Sequence, residues 1–303
     1  MIVADLPRAA LAATLSGPGL RLRTGPVVTQ IQSTVASVVD GIALHYAQHS
    51  IEDVDGFADF HVQVRPPANL RRWVAPQLLF DFDGMPPFRP LPRAQAFPML
   101  EWGLNWCVSS YAHQYLIFHA AVIEQHGRAL ILPAPPGSGK STLCAGLIHR
   151  GWRLLSDELT LLEPLTLSIV PLARPVSLKN VSIDVIREFS AEAAFGPIVK
   201  DTIKGAVAHM KPPVDSVRRA NEKALPRWIV WPRYEAGAQG LLVPWPKSRS
   251  FMRLAENAFN AAEHGKTGFE AMANLIDRCE CYEFVYSDLE HAANVFAALA
   301  RQE

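Results

Sequence analysis

The stretch that most constrains this chain is "ALILPAPPGSGKSTLCAGLIHRGWRLLSDEL", Ala129 to Leu159. "ALILP" reads as a strand. Ser141 to Arg150 reads as a helix with Leu143 and Leu147 on one face, stopped by Gly151. Between them, Ala134-x-x-x-x-Gly139-Lys140-Ser141 matches a phosphate-binding loop, with alanine at the usual first glycine. The physics of such a loop is an anion nest at a helix N-terminus, formed by inward N–H groups. Pro135 and Pro136 have no N–H to give, so the nest is expected from Gly137, Ser138, Gly139, Lys140, Ser141 and Thr142. Lys140 is expected on the β- and γ-phosphates of ATP, and the Ser141 hydroxyl on Mg²⁺.

Asp157 and Glu158 follow Lys140 after one helix, on the next strand. That places a carboxylate at a strand end beside the phosphate pocket. There, one acid can take the proton of an incoming hydroxyl and its neighbour can support Mg²⁺. In a regular strand the two would face opposite sides, and Asp157 is chosen as the one that reaches the γ-phosphate. His119, in "FHAA", lies on the strand before the loop strand. A hairpin through "EQHGR" would bring it to the same pocket. Lys179, Lys204 and Arg233 are further cations that could meet phosphate charge.

Around this centre the chain divides into two expected parts. Residues 1–110 read as a small α/β domain. "FADFHVQVRPP" and "QLLFDFDGMPP" are strands in it, and a proline-rich connector leads to a helix in "AQAFPMLEWGLNWCVSSYAHQ". Trp102 and Trp106 are read there as packing residues. Residues 111–303 alternate strands and helices, the pattern of an α/β layered domain. "VSLKNVSIDVIREFS" and "FMRLAENAFNAAE" are each expected to be helical. "GAVAHM", "RWIVWPRY" and "YEFVYS" are expected to be extended, and "DLEHAANVFAALA" helical.

Composition excludes several classes. The 303 residues carry 29 basic and 29 acidic side chains, so no net field attracts nucleic acid or an acidic membrane. No apolar run is long enough to cross a bilayer. The N-terminal segment is read as a short helix closed by Gly17 and Pro18 rather than a signal peptide. The four cysteines form no CxxC pair and are read as buried reduced thiols of a cytoplasmic protein.

Together, "FHAAVIEQHGRALILPAPPGSGKSTL" and "GWRLLSDELTLL" resemble the catalytic domain of the HPr kinase/phosphorylase superfamily, and more closely its HprK-related kinase A type. The resemblance implies an α/β P-loop kinase domain related to phosphoenolpyruvate carboxykinase, preceded by the small N-terminal α/β domain. It implies ATP and Mg²⁺ as cofactors and a protein or peptide serine as phosphoacceptor. Asp157 would handle the serine's proton, with His119 beside it. It also makes a homo-oligomer an expectation. The chain departs from HPr kinase proper at Glu158, where the family has a second Asp, and "ARPVSLKNVSIDVI" lacks the family's glycine-rich signature. Two other functions fit the residues: a small-molecule kinase, and a non-catalytic nucleotide-gated binding module.

Overall fold

The computed structural model describes residues 1–301. The N-terminal region is a five-stranded sheet with helices. In chain order it runs α1 (Arg8–Ser16), β1 (Leu20–Thr24), β2 (Val27–Ser33), α2 (Ala36–His45), β3 (Phe60–Arg65), β4 (Gln77–Phe82), β5 (Leu91–Pro92) and α3 (Ala96–Tyr111). The sheet order is β1-β2-β3-β4-β5, with only the β2–β3 pair parallel. Alternation sets its faces: β3 buries Phe60, Val62 and Val64 and turns the residues between them outward. α3 has apolar residues on nearly every side and is buried over most of its length, as a helix wedged between layers must be. Trp106 packs edge-on against Phe82, Phe88 and Tyr111, the packing role expected of it.

The remainder is built on an eight-stranded sheet. β6 (Leu116–Gln125) and β7 (Arg128–Pro133) form a hairpin through His126 and Gly127, as "EQHGR" suggested. After α4 (Lys140–Ile148), β8 (Arg153–Ser156) and β9 (Leu159–Leu162) both pair antiparallel with β6. They are one strand interrupted at Asp157 and Glu158. β10 (Ile169–Val170) extends that edge. On the other side of β7 lie β14 (Leu225–Tyr234) and β16 (Glu280–Tyr286), both parallel to it in sense, and β15 (Leu241–Pro244) closes the edge. A separate three-stranded sheet comprises β11 (Val176–Lys179), β12 (Val199–Thr202) and β13 (Gly205–Met210), with β13 central. α5 (Val181–Phe189) and α6 (Val214–Arg218) flank these strands. α7 (Lys247–Glu256), α8 (Ala261–Arg278) and α9 (Leu289–Arg301) complete the chain.

The large sheet is covered on both faces, which explains the nearly continuous apolar runs of β6, β7 and β14. One face packs Leu130, Leu132, Trp228, Val230 and Phe284 against α4 and α9. The other packs Ile131, Ile229 and Trp231 against α7 and α8. A third cluster spans Val3 to Ala112 and also takes in Ile117, Leu159, Leu161, Val170 and Leu172. The N-terminal region therefore shares its core with the strand that carries the acid pair. All four cysteines are buried and unbridged, and among the described residues no helix is long and apolar enough to cross a membrane.

Two expected helices are corrected. Within "VSLKNVSIDVIREFS", Val176–Lys179 is a strand paired with β13, and only Val181–Phe189 is helical. Asn180 separates them at φ 51° and ψ −129°, a turn conformation outside both the strand and helix regions, held by its side-chain bonds to Lys204 and Ala206. "FMRLAENAFNAAE" is broken at Asn257–Asn260. There Asn260 accepts the Ile117 N–H at 2.9 Å and donates to the Tyr115 carbonyl at 2.8 Å. Those bonds satisfy the start of β6 better than continuing a helix would.

Candidate phosphate-binding and acid-pair site

The loop after β7 turns at Gly137 and Gly139, at φ 86° and 89°. Gly139 is the N-cap of α4. A Cβ there would lie 2.6 Å from the Tyr286 hydroxyl, which donates to the Gly139 carbonyl at 2.9 Å, so the position needs glycine for both its φ and its space. Tyr234 N–H donates to the Ser138 carbonyl at 2.8 Å. The ends of β14 and β16 thus hold the loop by its carbonyls. The first-turn N–H groups of α4 lack intrahelical acceptors, as at any helix start, and face outward as an anion cradle. Ala134 is buried with no left-handed φ, which is why alanine serves at the relaxed first position.

The strand break between β8 and β9 changes the expectation for the acids. Asp157 and Glu158 are not in regular alternation: Glu158 lies beside Lys140, and Asp157 is near enough to feel its charge. Glu158 Oε2 is 3.8 Å from Lys140 Nζ and accepts from His119 Nε2 at 3.1 Å. Asp157, only 4% exposed, accepts the Ser177 N–H at 3.2 Å. Burial is the main reason its pKa is pushed up to about 6, with the Glu158 charge adding to it. Lys140, Ser141 and Ser177 pull the other way. Burial acts on Glu158 too, but the His119 hydrogen bond and the charges of Lys140 and Lys179 outweigh it and hold that carboxyl below its ordinary range. The pKa values of two adjacent carboxyls are thereby driven apart, that of Glu158 lowered and that of Asp157 raised.

Each sequence-predicted residue can now be placed. Gly137 to Thr142, Lys140, Ser141, Asp157, Glu158 and His119 converge. His119 meets Glu158, and its backbone is fixed by donation to the Asn257 carbonyl at 2.8 Å. Lys179 and Lys204 sit on the three-stranded sheet, within reach of the Glu158 charge. Arg233 lies apart. It is 57% exposed, is paired with Glu235 at 2.6 Å, and stands beside the outer limb of the loop with Pro135 and Ser138. Among the described residues, Lys140 Nζ, Asp157 Oδ1, Ser138 Oγ and Ser177 Oγ are buried with no hydrogen-bond partner. Buried polar atoms are normally satisfied, so unpaired ones clustered at a loop of this kind point to a ligand.

Several contributors escaped the sequence reading. Ser177 lies in the segment read as a helix, so its N–H toward Asp157 was hidden. Tyr286 and Tyr234 clasp the loop from strand ends far along the chain. The alternation of "YEFVYS" placed Tyr286 on a strand but not against the loop. Arg174 is buried with Glu101 at 2.8 Å, Asn105 at 2.8 Å and the Tyr46 hydroxyl at 3.2 Å. This ties the N-terminal region to the segment that leads into Ser177.

Among the described residues, no group of three or more His, Cys, Asp and Glu side chains is arranged to hold a metal ion by itself. The donors present, two carboxylates and the Ser141 hydroxyl, are hard oxygens. They suit a Mg²⁺ ion that takes its remaining ligands from phosphate and water.

No family model and no curated protein matches the chain. Among solved structures, it is similar to the Hpr(Ser) kinase/phosphatase from Coxiella burnetii. The TM-score is 0.27 at 11% identity, covering 62% of this chain and 99% of that one.

Proposed function

We propose that the chain is an ATP-dependent kinase that transfers the γ-phosphoryl group to a hydroxyl, a serine of a protein or peptide being the favoured acceptor. The observation that carries this reading is that Asp157 Oδ1 and Lys140 Nζ are both buried without a hydrogen-bond partner among the described residues, at the phosphate loop and its acid pair. The P-loop kinase assignment to residues 111–303, the cytoplasmic location and self-association belong to the same reading.

In this mechanism the cradle of Gly137 to Thr142 seats the phosphates, and Lys140 turns from Glu158 to the β- and γ-oxygens. Asp157 accepts the proton of the incoming hydroxyl as its oxygen bonds to the γ-phosphorus and the bond to the β-phosphate oxygen breaks, releasing ADP. A base with its pKa near 6 is well matched to that task at neutral pH. His119 keeps Glu158 ionised and oriented. Ser141 and the carboxylates of Asp157 and Glu158 would hold Mg²⁺, which supplies charge neutralisation and orientation of the phosphates when bound. Because Asp157 is at once the base and a metal-side group, its unpaired Oδ1 is assigned to the hydroxyl.

The test is incubation with γ-labelled ATP in a cell extract, followed by mass spectrometry of phosphorylated proteins, peptides and small molecules. Label on a hydroxyl that requires Asp157 and Lys140 supports the kinase. Label confined to small molecules moves the acceptor to that class. ATP binding with no transfer to any fraction contradicts catalysis.

A further inference from the structure

The turn between β12 and β13 is held with unusual thoroughness for an exposed hairpin. The Thr202 hydroxyl donates to the Gly205 carbonyl at 2.7 Å and accepts the Lys204 N–H at 3.0 Å. Asn180 spans the turn, with its Oδ1 accepting the Ala206 N–H at 3.0 Å and its Nδ2 reaching the Lys204 carbonyl at 3.4 Å. Gly205, at φ 82°, leaves room for that clasp, since a Cβ would fall 2.3 Å from Asn180 Oδ1. The preceding strand is tied to the start of α3, where the buried Gln95 amide donates to the Asp201 carbonyl at 2.9 Å. All of this fixes the backbone of one residue, Lys204.

The turn stands beside the end of β11, the strand whose Ser177 N–H donates to Asp157. Lys204 Nζ lies 5.2 Å from the centroid of the Trp102 ring on α3, within the range of a cation–π contact. Asn180, which clasps the turn, directly follows Lys179, so the two lysines are held by one device at the ends of neighbouring strands. Among the described residues neither lysine has an ion pair within 4 Å, although both lie near Glu158. Burial, and then the like charges of Lys179 and Lys140, lower the pKa of Lys204 from the usual lysine value. Glu158, the carboxylate near both, is shared with Lys140 and His119, so like charges remain on a rigid backbone that an anionic ligand would answer.

We propose that Lys204 contacts the γ-phosphoryl group of ATP, and that Trp102 is a positioning residue that holds it there, so that the N-terminal region completes the transfer site. This rests on the kinase reading above and adds to it a residue and a region outside the P-loop part. Lys179 approaches from the same side. Arg233, paired with Glu235 on the loop's outer limb, takes no part.

Binding of a non-hydrolysable ATP analogue and of ADP, measured by calorimetry on the full chain, tests it. Lys204→Met should weaken the analogue about tenfold while leaving ADP unchanged, the loss of one charge-assisted contact. Trp102→Leu should reproduce several-fold of that selective loss, and Trp102→Phe, which keeps an aromatic face, should restore it. A purely packing role for Trp102 would shift the melting temperature and weaken both nucleotides together. Lys204 is on an exposed turn, so Lys204→Met tests the contact even if Trp102→Leu unfolds. An unchanged analogue-to-ADP ratio in Lys204→Met overturns the contact. Equal behaviour of folded Trp102→Leu and Trp102→Phe overturns the positioning role. If the wild-type chain binds neither nucleotide, the kinase reading fails and takes this inference with it.

Discussion

Two buried ionic clusters lie close in this molecule and differ in one respect. Around Arg174 the charged groups answer one another: Glu101 binds the guanidinium and accepts the Tyr46 hydroxyl at 2.7 Å, and Asn105 takes another arm. Along the phosphate loop and its acid pair, the Lys140 ammonium, one Asp157 oxygen and the hydroxyls of Ser138 and Ser177 have no hydrogen-bond partner among the described residues. Both clusters carry the desolvation cost of buried charge. The first offsets it internally and acts as a joint between the N-terminal region and the strand leading to Ser177. The second leaves the cost uncovered, which a fold tolerates where a ligand supplies the missing partners.

The contrast predicts opposite consequences for substitutions. The largest effect belongs to the open cluster: Lys140→Ala should cut phosphoryl transfer by roughly a hundredfold or more, with a melting temperature close to wild type. Steady-state transfer and a thermal scan on the same preparation check both halves. In the closed cluster, Glu101→Gln should destabilise the chain by about 3–5 kcal/mol, because it strands the Arg174 charge in the core. Urea unfolding measures this, and a loss below about 1 kcal/mol would remove the distinction between the clusters.

Smaller effects follow from titration. Burial holds His45 and His49 at a pKa of about 4 and His209 at about 3. These folded values are depressed below the ordinary 6.5, so the unfolded chain takes up protons first as pH falls. Stability is therefore full above about pH 6.5 and is lost on acidification toward pH 4. Between pH 7 and pH 5 the loss should be about 1–2 kcal/mol per histidine. A flat urea midpoint over that range would contradict their burial as neutral groups. Activity has its own limb. Asp157 must be ionised to accept a proton, so kcat/KM should fall about tenfold per pH unit below about 6, and Asp157→Glu should move that limb.

Much of the site was legible in the sequence because it is local. The loop, its helix, the strand before it and the acid pair one helix later lie within Leu116–Leu162, where periodicity and turn residues carry the information. What was not legible depends on distant chain. The acid pair in "SDEL" suggests a bend in the strand, but not that the strand is interrupted at Asp157–Glu158 and brings Glu158 to Lys140. Val176–Lys179 reads as part of a helix until β13 is there to pair with it, so Ser177 was missed. Asn257–Asn260 leaves the helical pattern because the start of β6 needs hydrogen-bond partners. Trp102 was read as packing, and it does lie against the protein, but its ring also faces Lys204, a contact between residues 102 positions apart in the chain.

The central claim is that unsatisfied buried atoms at Asp157 are kept for chemistry at the expense of stability. Asp157→Asn tests it most directly. It removes a buried charge whose pKa is raised but keeps the acceptor for the Ser177 N–H. Thermal unfolding and label transfer from γ-labelled ATP should be measured together at pH 7. The account predicts a melting temperature at or above wild type, with transfer reduced by roughly two to four orders of magnitude. A folded variant that transfers at the wild-type rate, or one that is inactive only because it melts earlier, would contradict it.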